Sequence, residues 1–318
     1  MAVVNANSIA INVIELGVED AAPPVVMLHG IVIDNLSSFY YTLANHAASA
    51  HHVVLYDQRG HGRSDRPNSG YTVEDNVEDL SELLKTLYID EPVVLVGNSF
   101  GGTIALGFAL KYPERVAGLA LIEAHFAVDG WGDEMASTLR RTADLAREGL
   151  AMEKVLRETG SLPEEGLPAL QKVGLSPEEV QFVIHWIEDN SRRKATRMGK
   201  TAKALLDGTT LIDDLQREKP LSEEQLKSIK CPTLVIYGEQ SDIIDRAHDL
   251  ARCLPQAELN VIEGQNHSVL MAASDRVREI LLPWLAERSA IAAIGGSVKN
   301  DISADGIPAD TALLCDRS

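Results

Sequence analysis

The chain predicts an α/β fold built on a mainly parallel sheet, and three observations carry that expectation. Short apolar runs recur at 25–28, 52–56, 93–96, 116–122, 233–237 and 259–262. Helix-length amphipathic segments such as 73–87 and 99–111 lie between most of them. Within VVLVGNSFGGTIAL, residues 93–106, a run of β-formers stops at a lone serine among three glycines and restarts with helical period. Alternating strands and helices build a parallel sheet, and its functional groups collect on loops at the carboxyl ends of the strands.

Taken in order, Ile9 to Leu16 adds an antiparallel edge strand. Val25 to Leu28 is a buried strand that ends at His29 and Gly30. His52 to Tyr56 follows, and its turn, YDQRGHGRSDRP, is rich in glycine and charge. That turn offers Asp57, His61 and Arg63 to a metal or a phosphate. It holds a single histidine without ligand spacing, so a tight loop near the site entrance is the simpler expectation. Val93 to Val96 then leads into the serine turn and its helix, and Val116 to Ile122 is the next strand. From about Phe126 to Ile229 strand signals cease, and roughly a hundred residues of helical pattern intervene before CPTLVIYGE resumes the sheet. Glycine and proline breakers at 130–132, 160–163, 174–177 and 208 divide this block into several short helices. After Trp284 and Leu285 the sequence loses its period. The expected organisation is a core of 1–126 and 230–288, a helical cap of 127–229 and a mobile tail of 289–318.

A chain of 318 residues can bury a full core. Its net charge of −18 argues against nucleic acid or an anionic membrane as a partner. The three cysteines, Cys231, Cys253 and Cys315, have neither metal nor redox spacing, as in a reducing compartment. The amino-terminal stretch lacks a basic region and a signal-length apolar run, so a soluble, cytoplasmic protein is expected.

Gly97, Ser99 and Gly101 form G-x-S-x-G, a turn that holds a serine hydroxyl out above the sheet edge. A serine hydroxyl is a weak nucleophile at neutral pH. It needs a base to take its proton and an acid to hold that base in the useful tautomer. PTLVIYGE runs into QSDIID, and ELNVIEG runs into QNHSVL, which places Asp242 and His267 after two successive strands. His267 is thus the expected base and Asp242 its acid. An oxyanion formed during acyl transfer needs two backbone donors. The N–H of Phe100 is one, and that of Ile31, after the permissive Gly30, is the other. The sequence calls for no metal and no cofactor.

HGIVIDN, DQRGHGRSDRP, GNSFGG, YGEQSDIID and GQNHS, in that order over residues 24–270, resemble the α/β-hydrolase superfamily. The resemblance implies an eight-stranded sheet, a helical cap inserted after the sixth strand, a Ser99, Asp242 and His267 triad, and oxyanion donors at Ile31 and Phe100. Many relatives carry the acid three residues after the strand-ending glycine. Here Ser241 holds that place, with Asp242 one later, and Glu123 at the end of LALIEA is the alternative acid. GNSFGG is similar to the ring-fission-product hydrolases, which cleave carbon–carbon bonds. Those enzymes carry tryptophan after the catalytic histidine, whereas Ser268 stands here, and DQRGHGRS is more like esterases and thioesterases. Serine at 99 speaks against dehalogenase or epoxide hydrolase chemistry.

The expected function is a cofactor-free serine hydrolase of carboxylic esters or acyl thioesters acting through an acyl-enzyme. Its partner is a small acyl substrate, with an acyl carrier added by analogy only. Carbon–carbon hydrolysis of vinylogous diketones is the alternative reaction. A non-catalytic small-molecule receptor on the same fold is the alternative class. Trp131, Phe182, Trp186 and Met198 could line a cap pocket or simply pack against the sheet, and Arg192 and Arg193 could meet a carboxylate or face solvent.

Overall fold

The computed structural model describes residues 2–18, 23–144 and 192–303, with side chains described for 2–18, 23–144 and 199–290. Among these, eight strands form one sheet in the order β1-β2-β4-β3-β5-β6-β7-β8. They are β1 (Ala2–Ala6), β2 (Ile9–Gly17), β3 (Val25–Leu28), β4 (His52–Tyr56), β5 (Val93–Asn98), β6 (Val116–Ile122), β7 (Thr233–Gly238) and β8 (Ala257–Ile262). β1 pairs antiparallel with β2 and β2 with β4, and every later pairing is parallel.

The expected edge strand, 9–16, is therefore second from the edge. Outside it lies β1, joined by a two-residue hairpin at Asn7 and Ser8, both at positive φ. Such a turn matches the twist of the flanking strands, and Asn-Ser is a weaker signal for it than Asn-Gly.

The central strands are buried on both faces, so they read as continuous apolar runs. Side chains alternate between two cores. Val26, Leu28, Val54 and Leu95 pack with Leu80, Leu83, Ile104 and Phe108 of helices Val73–Thr86 and Phe100–Lys111. Val25, Met27, Val53 and Val94 pack on the other side with Phe39, Leu43, Leu281 and Trp284. A capping box starts the first of these helices: Thr72 accepts from the Asp75 N–H while the Asp75 carboxylate accepts from the Thr72 N–H.

Between β6 and β7 the described backbone is helical at 131–144, Arg192–Gly208, Leu211–Gln216 and Glu223–Ser228. Residues 145–191 of the expected cap, with Phe182 and Trp186, lie outside the described residues, as do the side chains of Arg192, Arg193 and Met198. Helix Ser274–Ser303 runs through residue 289, where the mobile tail is expected to begin. Its first turns are fixed by Val277, Leu281, Trp284 and Leu285, all buried. Once a helix is nucleated, extending it through an alanine-rich stretch such as SAIAAI is easy. Residues 304–318 lie outside the described residues. No described helix is long and apolar enough to cross a membrane.

Candidate active site

The serine turn is built by missing side chains. Ser99 sits at φ 52°, ψ −118°, a strained conformation of the kind found where a strand turns abruptly into a helix. A Cβ on Gly97 would lie 2.5 Å from the Gly101 carbonyl oxygen, and one on Gly101 would lie 2.0 Å from that of Leu28. A Cβ on Gly102 would meet that of Ala124 at 2.3 Å. The three glycines thus let helix Phe100–Lys111 start directly against β3, β5 and the end of β6. The Ser99 N–H donates to the Ile122 carbonyl at 2.9 Å, and the Ser99 carbonyl accepts from the His125 N–H at 3.2 Å. The strain is therefore held by the neighbouring strand.

His267 stands after β8 with its Nε2 3.2 Å from the Ser99 Oγ. Its other ring nitrogen, Nδ1, lies 3.1 Å from Glu123 Oε2. A carboxylate only accepts hydrogen bonds, so Nδ1 carries the proton and Nε2 presents its lone pair to the serine hydroxyl. Glu123 is fully buried. The Gly238 N–H donates to its Oε1 at 2.6 Å, and the Ser241 hydroxyl donates to its Oε2 at 2.6 Å. With the imidazole N–H, three donors converge on the two oxygens, which is what a buried carboxylate needs. Burial and the nearby Glu123 charge push the Tyr237 hydroxyl well above its ordinary pKa, and that hydroxyl donates to the Ala124 carbonyl.

Of the two residues expected as the acid or its alternative, Asp242 and Glu123, it is Glu123 that lies against the imidazole. Asp242 is exposed, and the partner of the His267 ring is Glu123. The turn after β7 aims the buried Ser241 inward at Glu123 and leaves the next side chain facing solvent. Glu123 reaches across because φ at this residue is +49°, a left-handed kink directly after β6. Its N–H still bonds the Ile236 carbonyl at 2.9 Å, extending the register with β7. The loop carrying His267 approaches over Gly238, where a Cβ would lie 2.2 Å from the Gln265 carbonyl oxygen. Sequence reasoning missed Ser241 as the residue that secures the buried Glu123 carboxylate. The available signal was a carboxylate ending the apolar run LALI, which cannot be buried without donors.

Gly30 adjoins the serine: a Cβ placed on it would be 3.5 Å from the Ser99 Cβ. Ile31, expected as an oxyanion donor, is the next residue. Phe100, the other expected donor, begins helix Phe100–Lys111. His29 is engaged in the scaffold of this loop. Its Nδ1 bonds the Gly30 carbonyl at 2.6 Å, and its Nε2 accepts from the Gln58 N–H at 3.0 Å.

The turn after β4 is a scaffold for this loop. Asp57 accepts from Asn12 Nδ2 at 2.8 Å, the Leu36 N–H at 2.9 Å and the Arg63 N–H at 2.8 Å. Arg59 clamps the Asp79 carboxylate through its Nε at 2.6 Å and its NH2 at 2.5 Å, tying the turn to helix Val73–Thr86. Among the described residues no group of three histidines, cysteines or carboxylates is arranged to hold a metal ion.

A further histidine borders the site. The His125 ring lies 5.3 Å from that of His267, and burial, with smaller contributions from His267 and Arg246, lowers its pKa to about 3. Trp131 is buried at 1% exposure in the core cluster, so it packs as a core residue.

A family model described as alpha/beta hydrolase fold matches residues 23–273. The chain belongs to the α/β-hydrolase family. A proline iminopeptidase of Saccharolobus solfataricus is 26% identical over 248 residues, covering 73% of this chain and 75% of that protein. A cis-3-alkyl-4-alkyloxetan-2-one decarboxylase of Shewanella oneidensis is 26% identical over 293 residues, covering 86% and 85%. Among solved structures, a thermophilic esterase of Thermogutta terrifontis superposes with a TM-score of 0.65 at 24% identity, covering 91% and 98%, a likeness of fold. Family membership supports hydrolase activity for this α/β-hydrolase.

Proposed function

We propose that the chain is a cofactor-free serine hydrolase that cleaves carboxylic esters or acyl thioesters through an acyl-enzyme on Ser99. The observation that carries this is His267, which reaches Ser99 Oγ with one ring nitrogen and Glu123 with the other. In the forward step His267 Nε2 takes the hydroxyl proton as Ser99 Oγ attacks the acyl carbon, and Glu123 stabilises the imidazolium that forms. The resulting oxyanion is met by the N–H groups of Ile31 and Phe100. His267 then returns the proton to the leaving group. A water activated by the same nitrogen releases the acid and restores the serine.

Carbon–carbon hydrolysis is the second reading, favoured by the GNSFGG elbow with Asn98 before the serine. Comparing kcat/KM for matched oxoesters, thioesters and a vinylogous diketone ranks the three substrates in transition-state terms. A fluorophosphonate is expected to label Ser99 covalently, and Ser99→Ala should lose labelling and about 10⁴-fold or more of turnover. Unchanged turnover in Ser99→Ala, or labelling at another residue, would overturn the mechanism. Absence of labelling and of turnover on every substrate would favour a receptor on the same fold.

A further inference from the structure

The loop 29–36 is pinned at several points, and one of them is under strain. Val32 is buried, β-branched and set at φ +68°. Branched side chains avoid that region because the Cβ substituents crowd the backbone. The Ile33 N–H bonds the Ile31 carbonyl at 3.0 Å, closing a three-residue turn around Val32, the strained kind of γ-turn. Such a conformation persists only when its surroundings over-determine it.

What holds it is a histidine. The Val32 N–H donates to His61 Nε2 at 2.8 Å, and His61 Nδ1 donates to the Arg59 carbonyl at 2.8 Å. The His61 ring is buried and packs edge-on against His29 at 5.2 Å. Arg59 is in turn fixed by Asp79, so the histidine stands on a rigid base. Burial, reinforced by His29, lowers the His61 pKa to about 3, which keeps Nε2 available as an acceptor. On the other side of Ile31, the Gly30 N–H is held by Asp34 Oδ2 at 2.6 Å. The peptide carrying the Ile31 N–H is thus flanked by two pinned neighbours.

We propose that His61 is the positioning residue of the oxyanion hole: by accepting the Val32 N–H it holds the strained turn and so aims the Ile31 N–H at the oxyanion. This rests on the proposed acyl transfer at Ser99. His61 itself touches no substrate atom in this role. It fixes a donor whose loss elsewhere lowers kcat by about 10²–10³-fold.

The test counts folded sites by endpoint fluorophosphonate labelling and measures kcat and KM with a p-nitrophenyl ester. His61→Phe, which fills the ring's space but cannot accept, is expected to lower kcat per labelled site about 100-fold with KM within about threefold. In a Val32→Gly background the same replacement should lower kcat less than about tenfold, because glycine holds positive φ without the strain. A role in stability alone would reduce the number of labelled sites and leave kcat per site unchanged, and that result would overturn the proposal. Equal losses in the two backgrounds would overturn the link through Val32. Should His61→Phe fail to fold, His61→Gln, which can still accept, is expected to turn over at least about tenfold faster than His61→Met. Equal rates for that pair would also overturn it. If the wild-type protein is not labelled at Ser99, the failure is that of the acyl-enzyme itself.

Discussion

At the scale of single residues, the site depends as much on absent side chains as on present ones. Gly101 is the sharpest case, since a methyl group there would lie 2.0 Å from a backbone oxygen of the neighbouring strand. Neither partner is the free end of a flexible side chain, so the start of helix Phe100–Lys111 would have to move away from Leu28. Ser99 and the Phe100 N–H would move with it, and misplacing a catalytic group by about 1 Å can lower a rate about 10²-fold. Gly101→Ala is therefore expected to lose at least that much kcat while a folded protein remains by circular dichroism. Near-wild-type kcat would show that the elbow can relax. The glycines of G-x-S-x-G were legible in the sequence because a tight strand-to-helix turn requires them. Ser241 was not legible in the same way. Nothing local distinguishes a serine that secures a buried carboxylate from one that caps a turn, and only the approach of Glu123 from another strand decides it.

At the scale of elements, long apolar runs translated directly into strands, because β3, β4 and β5 are covered on both faces and have no need of polar alternation. β1 escaped notice for the opposite reason. It is a five-residue outer strand whose first residues are exposed, and Asn5 cuts its short apolar run off before the turn. The order of elements also explains how Glu123 comes to lie beside His267. Residues after β6 and after β7 both arrive beside the loop that follows β8, because these three strands are consecutive in the sheet. The topology therefore offers two places from which a carboxylate could meet His267. The chain takes the earlier one, with a left-handed kink at Glu123 and a serine at the later one. Sequence position alone does not choose between such neighbouring loops. The choice is made by side-chain direction, which a turn sets through backbone angles.

At the scale of the whole molecule, the site is a place where charge has been excluded as well as placed. His61 and His125 are both held uncharged, with pKa values lowered to about 3 from 6.5. An unfolded chain would protonate both near the ordinary value, so between about 6.5 and 3 the unfolded state binds more protons and stability rises with pH. Their contribution is complete above about pH 6.5 and is lost progressively as pH falls toward 3. Asp79 and Glu218, whose carboxyls burial pushes upward, act in the opposite sense. A single replacement isolates the effect: the melting temperature of His125→Gln is expected to fall less between pH 7 and pH 4.5 than that of the wild type. Parallel curves for the two proteins would show that His125 is protonated in the fold.

The central claim is that Glu123, and not Asp242, orients the imidazole that activates Ser99. The most direct measurement is kcat for Glu123→Gln and Asp242→Asn in parallel, normalised to fluorophosphonate-labelled sites. An amide at the orienting position keeps the shape but favours the wrong tautomer of His267, which lowers kcat by up to about 10⁴-fold. Glu123→Gln is expected to show a loss approaching that size, while Asp242→Asn, at an exposed position, stays within about threefold of the wild type. A larger loss in Asp242→Asn than in Glu123→Gln would contradict the account and return the acid to the loop after β7.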